Sequence, residues 1–204
     1  MNHPEKVEKP FSPSCERNQS VLLEVLKQHL RTDDKQVLEI GSGTGQHAVF
    51  FAENLPALLW QTSDIKANHA GIQLWLDEAN LNNVQSPIEY EIGKDQWPDI
   101  KADLIFSANT LHIIPFEWVK LLIQSMGQNL RKGALVMFYG PFKYQGEFTS
   151  ASNADFDLWL KDIDPLRGVR DFETIVALMD EQRLPLRQDI NMPANNQMLI
   201  FERL

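Results

Sequence analysis

A chain of 204 residues, 43% hydrophobic and 23% charged, has the size of one ordinary domain with a sizeable buried core. Its formal net charge of −9 disfavours nucleic acid as the main partner, since phosphate backbones are gripped by clustered Lys and Arg, and here Lys161, Arg167 and Arg170 are interleaved with Asp162, Asp164 and Asp171. No run approaches about 18 consecutive apolar residues, so no membrane span is expected, and Met1 to Pro10 lacks the apolar centre of a secretory signal, which leaves the cytoplasm as the default location.

The single Cys15 cannot close an internal disulfide and has no neighbours that would mark it as a nucleophile. A first helical pattern covers 17–30, and a first strand, 36–40, leads into Val37-Leu38-Glu39-Ile40-Gly41-Ser42-Gly43-Thr44-Gly45-Gln46-His47. Alternating glycines let the backbone turn tightly and let a ligand lie against main-chain amides, and the helix read over 46–54 points its N-terminus at the same place. A dinucleotide fingerprint asks for a small residue where Gln46 stands, and the Gly-Lys-Ser/Thr ending of a P-loop is missing. The remaining form, E-x-G-x-G-x-G, resembles motif I of the class I S-adenosylmethionine-dependent methyltransferases. That resemblance implies a loop holding the amino-acid end of S-adenosylmethionine, with Glu39, Gly41, Ser42, Gly43 and Gly45 as cofactor candidates.

The second strand, 58–63, ends at Asp64-Ile65. Asp64 lies 19 residues after Gly45, where a carboxylate leaving the second strand reaches ribose hydroxyls, and Ile65 is placed to pack on adenine. Capping of the next helix, read over 67–80, is the competing use of Asp64. The third strand is read at 87–92; similarity to methyltransferases places adenine contacts there, on Glu91 and Ile92, with Asp95 as the alternative.

A fourth strand, 102–107, precedes Ala108-Asn109-Thr110-Leu111-His112, at the carboxyl end of the strands where open α/β sheets place ligands. Asn109 and His112 are the active-site candidates, His112 or Tyr139 being able to take a proton from, or orient, a methyl acceptor. The remaining histidines show no metal-binding spacing, and no metal is expected. Helix 116–130, strand 134–139, helix 171–182 and strands 186–191 and 197–202 follow; the short Met192 to Asn196 linker makes the last pair an antiparallel hairpin. Between strand five and helix 171–182 lies an insertion with a short helix whose Phe156, Trp159, Leu160 and Ile163 form one apolar stripe, expected to face the core.

Alternating strands and helices give an α/β fold, a seven-stranded, mostly parallel Rossmann-like sheet with helices on both faces and an antiparallel C-terminal hairpin. Phe11-Ser12-Pro13-Ser14-Cys15-Glu16-Arg17-Asn18, with Ser152-Asn153-Ala154-Asp155-Phe156-Asp157 and Gly168-Val169-Arg170-Asp171, resembles the signatures of the methyltransferase-like protein 26 family, a domain of unknown function. The resemblance implies one domain over 1–204, an N-terminal lid at 1–30 and a lid insertion at 140–168. Arg17 and Asn18 would open the first helix near the glycine loop and contact the cofactor carboxylate or close over the site. The expectation is methyl transfer from S-adenosylmethionine to a small-molecule acceptor, by in-line displacement. The alternative is a non-catalytic module that binds this cofactor or its demethylated product.

Overall fold

The computed structural model describes residues 8–204; residues 1–7, part of the expected N-terminal lid, lie outside the described residues. The chain divides into two compact units, Met1–Tyr90 and Glu91–Leu204. In the first, helix α1 (Pro13–His29) is followed by β1 (Gln36–Ile40), α2 (Gln46–Asn54), β2 (Leu59–Asp64), a 3-10 turn (Lys66–Asn68), α3 (His69–Ala79) and β3 (Val84–Glu89). The second contains β4 (Leu104–Ala108), α4 (Phe116–Asn129), β5 (Leu135–Gly140), the short β6 (Phe142–Tyr144) and β7 (Glu147–Phe148), α5 (Ala151–Ile163), β8 (Arg170–Asp171), α6 (Phe172–Glu181), β9 (Leu186–Met192) and β10 (Asn196–Glu202).

The main sheet has seven strands. Within the first unit they run β3-β2-β1, parallel, with Gln36 opposite Leu59 and Trp60 opposite Val84. Within the second they run β4-β5-β10-β9; β4 and β5 are parallel, and β10 is antiparallel to both its neighbours, with Gln197 opposite Gly140 and Asn196 opposite Met192. The two-sided burial of β1, β4, β5 and β10 explains why their sequences are nearly continuous apolar runs. Phe51 packs on Trp60 with ring centroids 5.2 Å apart in the first unit, and Phe138 meets Phe201 edge to face at 6.0 Å in the second.

Three expectations require correction. First, α1 starts at Pro13 rather than residue 17, because Pro13 has no amide hydrogen to lose in the first turn and its fixed φ suits a helix start. Arg17 and Asn18 therefore lie one turn inside the helix. Second, β3 covers Val84–Glu89 instead of 87–92. Register with β2 is disturbed between Gln61 and Ser63, opposite the segment carrying Pro87, and the side chains of Gln61 and Thr62 take up the carbonyls of Ser86 and Gln85 at 2.8 Å each. Glu91 already belongs to a turn, its amide donating to Asp95 Oδ2 and its carbonyl accepting from the amides of Lys94 and Asp95.

Third, the apolar stripe of α5 is not core: Leu160 is buried, but Trp159 is 56% and Ile163 50% exposed. The buried face carries Asn153, Asp157 and Leu160. A second, three-stranded sheet, β7-β6-β8, also lies in this region, its strands too short for periodicity to reveal. Among the described residues no helix is long and apolar enough to cross a membrane.

Candidate functional site

The glycine loop is built as its spacing requires. Gly41, Gly43 and Gly45 all have positive φ, and a Cβ on Gly45 would lie 3.2 Å from the Ile72 Cα, close enough that the backbone of α3 would have to give way. At Gly43 a side chain would instead meet nothing within 4 Å of its Cβ, so the space beyond this residue is open. The amides of Gly41 and Ser42 donate to the Ser63 carbonyl, fastening the loop to the end of β2.

Asp64 fixes the loop a second time. Its Oδ2 accepts from the Gly43 amide at 2.6 Å, while Oδ1 accepts from the Ile65 amide at 2.7 Å and Asn68 Nδ2 at 2.8 Å. The residue is buried, and Ile65 beside it is 41% exposed, an apolar side chain left at the strand end. Under the loop, buried Glu39 accepts from Trp60 Nε1 at 3.1 Å; burial pushes its carboxyl up to about 7.

Gln46 and His47, the two residues that follow the last glycine of the loop, have partners in the N-terminal segment. Gln46 accepts from the Ser12 amide and donates to the Ser12 carbonyl at 3.4 Å, and His47 Nε2 is 2.7 Å from Asn18 Oδ1. Farther back, Trp75 Nε1 donates to the Pro10 carbonyl at 2.6 Å, and Lys9 pairs with Glu78 at 2.7 Å while lying over the Trp75 ring. Lys9 to Asn18 is thus a strap tied to α3 and to the first turn of α2. Asn18 is engaged with His47, and Arg17 is exposed.

In the second unit, Asn109 adopts a left-handed conformation, φ 59°, with its amide donating to the Tyr139 carbonyl at 2.8 Å. A methyl group placed on Gly140 would be 3.5 Å from His112 Nδ1 and 3.6 Å from Asn109 Oδ1, so both polar atoms border the space that this glycine leaves. Tyr139 is itself buried. The turn holding Glu91 and buried Ile92 contains Gly93, φ 86°, whose Cβ would lie 2.6 Å from the Trp118 ring.

The backbone around His112 is pinned from the insertion. Gly168 donates its amide to the His112 carbonyl at 3.0 Å, Arg170 Nε donates to the Leu111 carbonyl at 2.9 Å, and Arg170 Nη2 donates to the Ile114 carbonyl. Asp157, 3% exposed, holds the insertion in turn: Oδ1 accepts from the Val169 amide at 2.7 Å and Oδ2 from Lys161 Nζ at 2.6 Å. Phe156 meets the His112 ring edge-on at 5.2 Å. Sequence reasoning missed both anchoring systems; the signatures contain Ser12, Asn18, Asp157, Gly168 and Arg170, but spacing alone does not reveal which residues these pair with.

Burial also lowers His47 and His112 from 6.5 to about 4, Arg170 and Arg167 adding to the effect at His112. Below pH 6.5 the unfolded chain takes protons that these folded histidines refuse until about pH 4, so stability present above 6.5 is lost as pH falls through that window. Glu39 acts in the opposite direction: the folded carboxyl keeps its proton to about 7 whereas 4.5 is usual, so its contribution is lost as pH rises through about 7. Two histidines outweigh one glutamate, and urea midpoints are expected to climb from pH 5 to about pH 7. Glu39→Gln, which keeps an acceptor for Trp60, should exceed the parent at pH 8 by about 1–3 kcal/mol but not at pH 4. A difference independent of pH would remove Glu39 from this account.

Comparison with known proteins adds two findings. A family model described as "Protein of unknown function (DUF938)" matches residues 9–203. Among solved structures, the chain is similar to an O-methyltransferase family protein from Burkholderia thailandensis (15% identity, TM-score 0.78, covering 93% of this chain and 57% of that one). It is also similar to the S-adenosylmethionine-dependent methyltransferase SibL in its apo form (19%, 0.77, 93% and 55%). An O-methyltransferase family 2 protein from Planctomyces limnophilus, in complex with apigenin, is a third (14%, 0.74, 91% and 62%). The chain therefore spans 55–62% of the length of these structures, and the likeness establishes the fold, that of the class I methyltransferases.

Proposed function

Given that the chain belongs to the family described as Protein of unknown function (DUF938), and that its strands form a class I methyltransferase fold, we propose that it binds S-adenosylmethionine and transfers a methyl group to a small-molecule acceptor. The observation that carries this reading is the pairing of the Gly43 amide with Asp64 beneath open space, which leaves a carboxylate fixed by three donors at the end of β2. Arg17 and Asn18 are proposed as part of the closure over the loop, with Glu39, Gly41, Ser42, Gly43 and Gly45 forming its floor, Asp64 holding ribose hydroxyls and Ile65, Glu91, Ile92 and Asn109 completing the cofactor contacts. The signature Ser12 to Asn18 supports the finer likeness to the methyltransferase-like protein 26 family.

When bound, S-adenosylmethionine supplies a methyl carbon on a positively charged sulfur, so transfer to a hydroxyl leaves a neutral thioether and releases one proton. His112 is neutral near pH 7 and has a ring nitrogen beside the Gly140 gap, where it can accept the hydrogen bond of an acceptor hydroxyl and fix its lone pair toward the methyl carbon. Asn109 borders the same gap, and Tyr139, the residue before Gly140, is proposed as the alternative group for orientation or proton removal. The anchors on Leu111, His112 and Ile114 keep this loop from rearranging when the acceptor arrives.

Calorimetric titration with S-adenosylmethionine, S-adenosylhomocysteine, NAD and NADP tests the reading. Micromolar binding of the first two alone is expected. Binding of the nicotinamide nucleotides instead, or of none in folded, ligand-free protein, would overturn it, while binding without turnover across an acceptor panel would move the protein to the non-catalytic alternative.

A further inference from the structure

Arg167 stands out among the cations of the second unit. Lys161 is paired with Asp157, and Arg170 spends its donors on the carbonyls of Leu111, Ile114 and Leu166. The Arg167 side chain makes no hydrogen bond or ion pair among the described residues, and its Nε is closed to solvent without a partner. The nearest acid in sequence, Asp164, directs Oδ1 to the Leu166 amide at 2.9 Å. A guanidinium donor withdrawn from water and left unpaired is costly, by more than an ordinary neutral group, and such sites in native proteins ask for an explanation.

Its position supplies one. Arg167 is bonded in sequence to Gly168, whose amide holds the His112 carbonyl, so the backbone that carries this cation is tied to the proposed acceptor-orienting histidine. The charge of Arg167 is felt at the His112 ring, where it opposes protonation. Apolar surface lies close by: Phe156 touches the His112 ring edge and stacks on Trp159 at 5.7 Å, and Ile113 and Leu166 are exposed. An unpaired, partly exposed guanidinium next to an aromatic wall matches a ligand that has a carboxylate on an apolar, ring-sized body.

We propose that Arg167 is a specificity-determining residue that selects small apolar carboxylates as the ligands of the His112 site. The inference rests on the acceptor site of the methyl-transfer reading, but it concerns anion recognition and can be measured without turnover. A bound carboxylate would pair with the part of the Arg167 guanidinium that remains open to solvent and compensate the cation beside the neutral imidazole. An amide of the same shape would do neither.

The test is calorimetric titration of the full-length chain with benzoate, 4-hydroxybenzoate and phenylacetate, each against its amide, with and without saturating S-adenosylhomocysteine. At least one carboxylate is expected to bind 10-fold or more tightly than its amide. Arg167→Gln should erase that preference while leaving the amide unchanged, and Arg167→Lys should restore part of it. Urea midpoints within error of the parent establish that the variants are folded. The proposal is overturned if every acid and amide pair binds alike, or fails to bind, or if Arg167→Gln keeps the preference. Failure of S-adenosylhomocysteine to bind counts against the methyl-transfer reading alone, since the acid and amide comparison is made in its absence too.

Discussion

Replacing Asp64 with alanine is expected to loosen the glycine loop and lower affinity for S-adenosylmethionine together. The substitution removes the acceptor for the Gly43 amide, the Ile65 amide and Asn68 Nδ2, all around a buried carboxylate. Three donors lose their partner, and the stability cost should be about 2–4 kcal/mol. If the remaining lone pairs also hold ribose hydroxyls, cofactor affinity should fall by about 10- to 100-fold. Calorimetry at a temperature where the variant is folded separates the two effects. Parental affinity in a folded Asp64→Ala protein would take Asp64 out of the cofactor site, and unchanged stability would contradict its place in the loop.

The second large effect is expected at Asp157, far in sequence from His112 yet holding it. Asp157→Ala strands the Val169 amide, frees Lys161 and removes the counter-charge that Arg170 senses from the buried face of α5. Gly168 packs so closely that its Cβ would lie 2.9 Å from Asp157 Oδ1, so the carboxylate and this glycine are fitted to one another. Lys161 is half exposed and turns to water, so the loss comes mainly from the buried Val169 amide left without its acceptor and should be about 1–3 kcal/mol. Hydrogen exchange offers the more telling measurement: the amides of Gly168 and Val169 should lose protection first in Asp157→Ala, and those of β10 should be little affected. Uniform loss across both segments would mean that the insertion does not open as a local unit.

How much of this was legible in the sequence depends on the distance over which each feature is determined. The boundaries of β1 and α2 could be read directly because the signals are local: an apolar run ends at glycines, and a left-handed Gly45 starts the helix. The terminal hairpin was legible for the same reason, through a linker too short for anything else. The displaced β3 shows the limit. The sequence reading runs this strand over 87–92, while the actual register is fixed by pairing with β2 and by side chains of that strand that absorb the irregularity near Pro87. Helix α5 misled more deeply, since hydrophobic periodicity assumes that buried means apolar. Here Asn153 donates to Thr149 and to the Asn195 carbonyl and Asp157 anchors a loop, so polar residues occupy the buried face and Trp159 remains outside.

The same reasoning applies to the candidate site. Glycine loop, Asp64, Asn109 and His112 were visible because each follows a strand end. Arg167 and the Asp157 anchor were not, because nothing local distinguishes an arginine that lacks a partner from one that has it.

The strap has a consequence for how this sequence can change over generations. Ser12 with Gln46 and Asn18 with His47 are pairs of positions 34 and 29 residues apart, joined by hydrogen bonds in a part-buried and a buried setting. Gln46 pairs with the backbone of Ser12, so that tie is broken only by a change at Gln46, whereas a change at Asn18 or His47 leaves the facing polar atom of the other buried without this partner, at a cost of about 1–3 kcal/mol. That is a large fraction of a typical domain's margin. Drift at His47 is therefore tolerated chiefly when Asn18 changes with it, so these two positions are inherited as one unit of selection although β1 lies between them, while Gln46 is held by a backbone that almost any residue at position 12 would present.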